Sequence, residues 1–316
     1  MRTSLPSDLT GVYAVPPLCR QAGARRAIDL PANDAMRDHI VGGGITRLLY
    51  GGNAFLYHVS LDDYAETLGW MASAPDALWM IPSVGPSFGR AIDQVGVLRA
   101  FPFPCAMLLP CADPRDAEGL ESGAREIAQR AGIPLVLYLK DLDNWGRDHA
   151  RGLDAVARLI DDGVAIAIKY AVVRADPGVD PYLEALLARV DRRFVISGIG
   201  ERPAVVHVEQ WGLPGFTTGS GCVAPALSQH VFDACGRRDF DQARQAREVF
   251  LPLEDLRDAW GPARVLHAAV DLAGITPTGP IPPFVSALGS AELAELTPVA
   301  VALHAANLAH ASLQST

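Results

Sequence analysis

Only two of the 27 basic side chains are lysines, Lys140 and Lys169; the other 25 are arginines. A position that keeps lysine in such a chain carries a chemical question, because a lysine can become a neutral amine and an arginine cannot. Lys169 ends the run VAIAI at 164–168, which holds no other polar side chain. Strand alternation puts Ala165, Ala167 and Lys169 on one face, and Val164, Ile166 and Ile168 on the other. Small residues and a lysine suit a narrow barrel interior, while the branched face suits a layer of helices. An amine stripped of solvent there favours its neutral form and attacks a carbonyl carbon. Tyr138 ends the run at 134–140, one strand–helix unit earlier. A barrel would set it beside Lys169, where a phenol can pass protons to and from a carbinolamine. The plainer alternatives are a strand-end lysine that reaches solvent or pairs with an acid, and a core tyrosine at a barrel rim. Lys140, next to Asp141 and close to Asp143, reads as a solvated or ion-paired loop residue.

The elements that must hold these residues recur steadily. Short apolar runs lie at 11–19, 46–52, 77–85, 105–110, 134–140, 164–171, 193–198 and 215–222. Their starts are about 20 to 35 residues apart, the length of a strand with its crossover helix. Most are continuously apolar, as strands buried on both faces should be. The stretches 60–74, 114–131 and 147–160 carry helical patterning, and the first opens with a Ser60-x-x-Asp63 cap. Eight strands alternating with helices predict a (β/α)8 TIM barrel. A doubly wound sheet would carry a Gly-rich loop after its first strand, where this chain has Pro16 and Pro17. The chain beyond Cys222 reads as helical at 224–235, 239–260, 262–273 and 292–313. The expected division is therefore 1–222 for the barrel strands and most crossover helices. Residues 223–316 add the final barrel helix and a C-terminal helical extension that does not fold independently.

Composition narrows the classes of function. With 316 residues, 49% hydrophobic and 20% charged, the chain can bury a full core and is not disordered. A net charge of −9 without a basic run speaks against nucleic acid. The five cysteines are scattered, with neither zinc spacing nor a disulfide framework, and no metal is expected. The N-terminal residues lack the apolar stretch of a signal peptide. The apolar run 296–313 carries His304, Asn307 and His310 with Pro298 near its start, which reads as a packing helix and not a membrane span. A cytoplasmic protein without membrane partners is expected. His207, His230, His267 and His304 fall in helical segments without metal-ligand spacing, and Cys222 reads as a small buried filler.

These residues together resemble the dihydrodipicolinate synthase / N-acetylneuraminate lyase family of class I aldolases and dehydratases. Leu137-Tyr138 is similar to its strand-five tyrosine motif, and Ile166-Ala167-Ile168-Lys169 to the Gly-Ile-Lys motif of its Schiff-base lysine. Ser197-Gly198, Gly212-x-x-Gly215 with Thr217-Thr218, Pro225, Gly236…Asp239…Ala243, Gly274 and Pro282-Pro283 follow in the family's order. The resemblance implies a lyase that acts on pyruvate or another 2-oxo acid, without organic cofactor, as a homotetramer. Lys169 would form the imine and Tyr138 would relay protons. Gly52 and Asn53 would offer carboxylate or oxyanion donors, and Gly198 and Thr217 would line the pocket.

The departures are as specific. The strand-two loop reads Gly51-Gly52-Asn53-Ala54-Phe55, without the hydroxyls that grip a carboxylate, and with Phe55 for the family's acid. Pro110-Cys111-Ala112 stands where the synthases carry a second relay tyrosine. Asp143 stands where they have a carboxylate-binding arginine, with Arg147 the nearest cation. An authentic dihydrodipicolinate synthase is therefore not expected; His58 is a candidate for the missing relay, or a surface histidine. One alternative is a catalytically degenerate member that binds a small metabolite. Another is a phosphate-binding barrel using Gly219-Ser220-Gly221, a loop with no cation close by in sequence.

Overall fold

The computed structural model describes residues 9–23 and 25–314. The first eight residues, within the segment read for a signal peptide and within the expected barrel span, lie outside them, as do the last two of the expected extension. Nine short parallel strands form one sheet: β1 (Gly11–Ala14), β2 (Arg47–Leu49), β3 (Trp79–Ile81), β4 (Ser83–Val84), β5 (Ala106–Leu108), β6 (Leu135–Leu139), β7 (Ala165–Tyr170), β8 (Val195–Ser197) and β9 (Gly215–Thr218). Their order is β3-β2-β1-β9-β8-β7-β6-β5-β4. The two ends of that order are joined by Pro82 alone, so β3 and β4 are halves of one barrel strand and the sheet closes into a TIM barrel of eight positions. The interruption follows from Pro82, which has no N–H for the ladder. Its carbonyl still accepts from the Met107 N–H at 2.8 Å.

Closure elsewhere depends on the absence of a side chain. At the β1–β9 seam Gly11 pairs with Gly215, and a Cβ on Gly215 would overlap the Gly11 carbonyl oxygen. We expect Gly215→Ala to lower stability by about 3 kcal/mol, since overpacking against backbone has little room to relax. Urea denaturation reads this as a lower midpoint at unchanged slope, and an unshifted midpoint would contradict it.

Crossover helices cover the sheet: α1 (Leu30–Gly42), α2 (Leu61–Ala72), α3 (Phe88–Leu98), α4 (Ala117–Ala131), α5 (His149–Asp161), α6 (Pro181–Leu187), α7 (Glu201–Glu209) and α8 (Pro225–Gly236). The cap read from sequence is present, with Ser60 Oγ accepting from the Asp63 N–H at 3.0 Å. The extension comprises α9 (Phe240–Glu248), α10 (Leu251–Trp260), α11 (Pro262–Leu272) and α12 (Ser290–Gln314). The single helix expected at 239–260 is thus two. Pro252 fits the first turn of a new helix but not the interior of a long one, where it would clash with the carbonyl four residues back. Among the described residues, no helix is long and apolar enough to cross a membrane.

Candidate active site

Lys169 lies on β7 and Tyr138 on β6, and the two are register partners. Lys169 is 5% exposed, and its Nζ sits 3.9 Å from the centre of the Tyr138 ring. No carboxylate pairs with it among the described residues. Ala165 and Ala167, which precede it on the same face of β7, are buried and have small side chains. The amine therefore faces a cleft of about 200 Å³ at the C-terminal mouth of the barrel, which Gly52, Asn53, Tyr138, Lys169, Gly198 and Thr217 all line. A larger cavity of about 390 Å³ lies between the starts of α3 and α4, reaching Pro110 and Cys111 and sharing Tyr138 with the cleft. The smaller cleft is the one that holds the lysine.

The strand-two loop is held from far along the chain. The Asn53 amide donates to the Val15 carbonyl at 2.7 Å, and the Asn53 carbonyl accepts from His267 Nε2 of α11 at 3.0 Å. A carbonyl only accepts, so this bond fixes His267 as the Nε2–H tautomer. Burial pushes its pKa down to about 4 and keeps it neutral. Phe55 takes a left-handed backbone, φ 53°, and lays its ring 5.0 Å from that of His267. Phe55 thus packs the extension onto the loop.

His58 is exposed and packs its ring against Phe284 at 5.7 Å; it does not line the cleft. Its neighbour Tyr57 comes closer, with ring atom Cε2 3.5 Å from where a Gly52 Cβ would stand. Burial, reinforced by Tyr138 and Asp141, pushes the Tyr57 phenol up and keeps it protonated. Asp143 is exposed and hydrogen-bonded to His149 at 3.0 Å, and Arg147 is exposed. Lys140 is exposed at the rim of the same cleft. Burial pushes the Cys222 thiol up, as suits an inert filler.

A buried charged cluster on the β9 side of the cleft has no counterpart in the sequence reading. Glu254 and Arg257 of α10 both line the cleft. Arg257 Nη1 donates to Ser220 Oγ at 2.9 Å, and Ser220 Oγ lies 3.4 Å from Glu254 Oε1. The other Glu254 oxygen accepts from the Arg202 backbone N–H at 2.8 Å. Glu201 is fully buried and accepts from Ser228 Oγ at 2.6 Å. Gly200 must be glycine: its φ is +85°, and a Cβ there would overlap Glu254 Oε1. The cation missing from the sequence around 219–221 is therefore supplied by folding, through Arg257.

Burial and the neighbouring Glu201 raise the Glu254 pKa to about 8, against the opposing pull of Arg257 and Arg202. Burial also pushes Glu201 up. The consequence for stability has a definite sign. Above the ordinary carboxylate value of 4.5 the unfolded chain releases its proton from Glu254, whereas the folded chain keeps it until about pH 8. The unfolded state binds fewer protons across that window, so stability falls as pH rises. Glu254→Gln titrates nothing there, and its stability relative to the parent should rise by on the order of 3 kcal/mol between pH 4.5 and 8. Urea melts of both proteins at several pH values would reveal it. Parallel pH curves would show that the carboxyl is already ionised in the fold.

No protein-family model matches the chain, and no curated protein does. Solved structures do. Dihydrodipicolinate synthase from Oceanobacillus iheyensis aligns with a TM-score of 0.79 at 19% identity, over 92% of this chain and 95% of that one. The 4-hydroxy-tetrahydrodipicolinate synthase from Methylacidiphilum fumariolicum SolV aligns with a TM-score of 0.80 at 18% identity, over 96% and 98%. A prophage protein of the dihydrodipicolinic acid synthase family from E. coli K12, in complex with pyruvate, aligns with a TM-score of 0.78 at 18% identity, over 93% and 98%. The chain shares their fold over nearly its whole length, helical extension included.

Proposed function

We propose that this chain is a lyase of the dihydrodipicolinate synthase / N-acetylneuraminate lyase family, acting on a 2-oxo acid through an imine on Lys169. One observation carries the reading: the lysine in the barrel mouth is buried, has no acid partner and lies against a phenol on the adjacent strand. Similarity of fold to a pyruvate complex supports the substrate class.

In this reading the Nζ lone pair attacks the C2 carbonyl carbon, and the carbonyl oxygen takes up a proton to give a carbinolamine. Loss of that oxygen as water leaves a protonated imine. The iminium then accepts the electron pair released when the C3–C4 bond breaks or when a C3 proton leaves. Tyr138 carries the protons of carbinolamine formation and collapse. Gly52 and Asn53 donate to the carboxylate or oxyanion, and Gly198 and Thr217 shape the wall. The loop without hydroxyls and the apolar Pro110-Cys111-Ala112 stretch favour a substrate other than that of the authentic synthase. They also keep a second reading in view, a barrel that binds a metabolite without turning it over. The homotetramer implied by family resemblance is part of the proposal and is checked by light scattering.

The test is borohydride reduction in the presence of pyruvate, longer 2-oxo acids and 2-keto-3-deoxy sugar acids, with peptide mapping of the added mass. A reduced adduct on Lys169 is expected, and the acid trapped at lowest concentration identifies the substrate class. A folded protein that traps none of them is not a lyase of this kind.

A further inference from the structure

We propose that Arg257, carried by α10 of the C-terminal extension, grips the carboxylate of the 2-oxo acid held on Lys169. The proposal rests on the lyase reading above and assigns it a specificity residue from outside the barrel. The strand-two loop offers a carboxylate only backbone N–H groups and one amide, and one of that amide's two N–H hydrogens already goes to Val15. An anion entering the mouth needs a stronger partner. Arg257 stands across Gly219 from Asn53: a Cβ on Gly219 would overlap Arg257 Nη2 and come within 2.9 Å of Asn53 Nδ2. Glycine thus lets the guanidinium and the amide converge on one side of the cleft that holds Lys169.

The guanidinium is fixed before any ligand arrives. Its Nη1 is bonded to Ser220, and its Nε points to the Pro262 carbonyl at 3.4 Å. Nη2 donates to no protein group among the described residues. A planar fork anchored on one side and free on the other suits a carboxylate, and being pre-oriented it loses little freedom on binding. Its charge is only partly offset from within, by the buried Glu201 and Glu254. Glu254, the acid that pairs with it among the described residues, lies 3.7 Å away, and burial and Glu201 push its pKa up, which favours the neutral carboxyl. Arg202, the other cation beside this cluster, is tied to Asp255 at 2.5 Å. Inside the cleft, below Lys140 at its rim and beside Lys169 itself, the positive charge left for a ligand is that of Arg257.

The experiment is the concentration dependence of borohydride trapping on Lys169, with pyruvate and with propanal, a carbonyl probe that has no carboxylate. Arg257→Met removes the fork and Arg257→Lys keeps only a point charge. Gly219→Ala keeps the arginine but displaces it. For Arg257→Met the half-saturating pyruvate concentration should rise on the order of 10- to 100-fold, the value of a charge-assisted hydrogen bond. Arg257→Lys and Gly219→Ala should fall between Met and the parent, and propanal trapping should stay unchanged in all three. Unchanged pyruvate dependence in Arg257→Met would overturn the proposal. So would an equal loss with pyruvate and propanal, which would make Arg257 a support for the pocket wall. A parent protein that traps propanal but no 2-oxo acid would remove the lyase reading and this anchor together. Parental pyruvate trapping that ignores Arg257 would remove the anchor alone.

Discussion

Replacing Lys169 with alanine is expected to abolish the borohydride-stable adduct and to lower turnover of the cognate acid by at least roughly 10⁴-fold. The argument is stoichiometric. Every step of the proposed reaction passes through a covalent C–N bond to Nζ, and Lys140, at the rim of the same cleft, is exposed and sits one strand away. Lys169→Arg should be just as inactive, since a guanidinium holds its proton and cannot attack a carbonyl. Alanine opens a space where an external amine can stand, so methylamine should restore part of the turnover to Lys169→Ala and none to Lys169→Arg. Circular dichroism should find both folded, because Lys169 makes no ion pair that the barrel depends on. Parental turnover in Lys169→Ala would mean that the chemistry runs elsewhere.

The second large effect concerns the phenol. Tyr138→Phe removes one oxygen and keeps the ring face that lies 3.9 Å from the lysine nitrogen. It therefore separates proton relay from the attraction between cation and ring. Turnover should fall by about 10²- to 10⁴-fold, the usual worth of a positioned acid–base group. The half-saturating substrate concentration should hardly move. The adduct on Lys169 should still form, more slowly, because water can substitute poorly for the hydroxyl. Tyr138→Ala should lose more than Tyr138→Phe, since it also opens the wall shared with the neighbouring cavity. A kcat for Tyr138→Phe within a few-fold of the parent would assign the relay to another group. Tyr57, which stands over Gly52 with its proton held firmly, would be the next to test.

How much of this the sequence reveals depends on the range of the forces involved. Strand and helix positions are local matters of periodicity and capping. The eight apolar runs became barrel strands, and Ser60 caps its helix as its spacing requires. The pairing of Tyr138 with Lys169 was also legible, because neighbouring parallel strands in a barrel bring equivalent ends together. Two prolines carry their effect in the sequence itself: Pro82 divides the third strand, and Pro252 starts a new helix. The charged cluster was not legible at all. Arg257 meets a serine 37 positions earlier, and His267 holds a carbonyl 214 positions away. No periodicity encodes such contacts; they follow from how α10 and α11 dock on the barrel. For the same reason the loop at 219–221 looked uncharged along the chain but carries an arginine in space.

That docking bears on how such a protein can change what it recognises. In the proposed reaction the barrel carries the covalent chemistry, and its β1–β9 seam leaves no room for a side chain at Gly215. The charge proposed to meet the ligand instead rides on a ten-residue helix, α10, outside the barrel strands that would form the imine. Randomising the cleft-facing positions of that helix would vary substrate preference while the reactive amine stays in place. A chimera that exchanged only the tail between two such barrels would transfer selectivity without transferring the reaction. If Lys169 and Arg257 act as proposed, reaction and selectivity are encoded in different stretches of one gene and can drift at different rates.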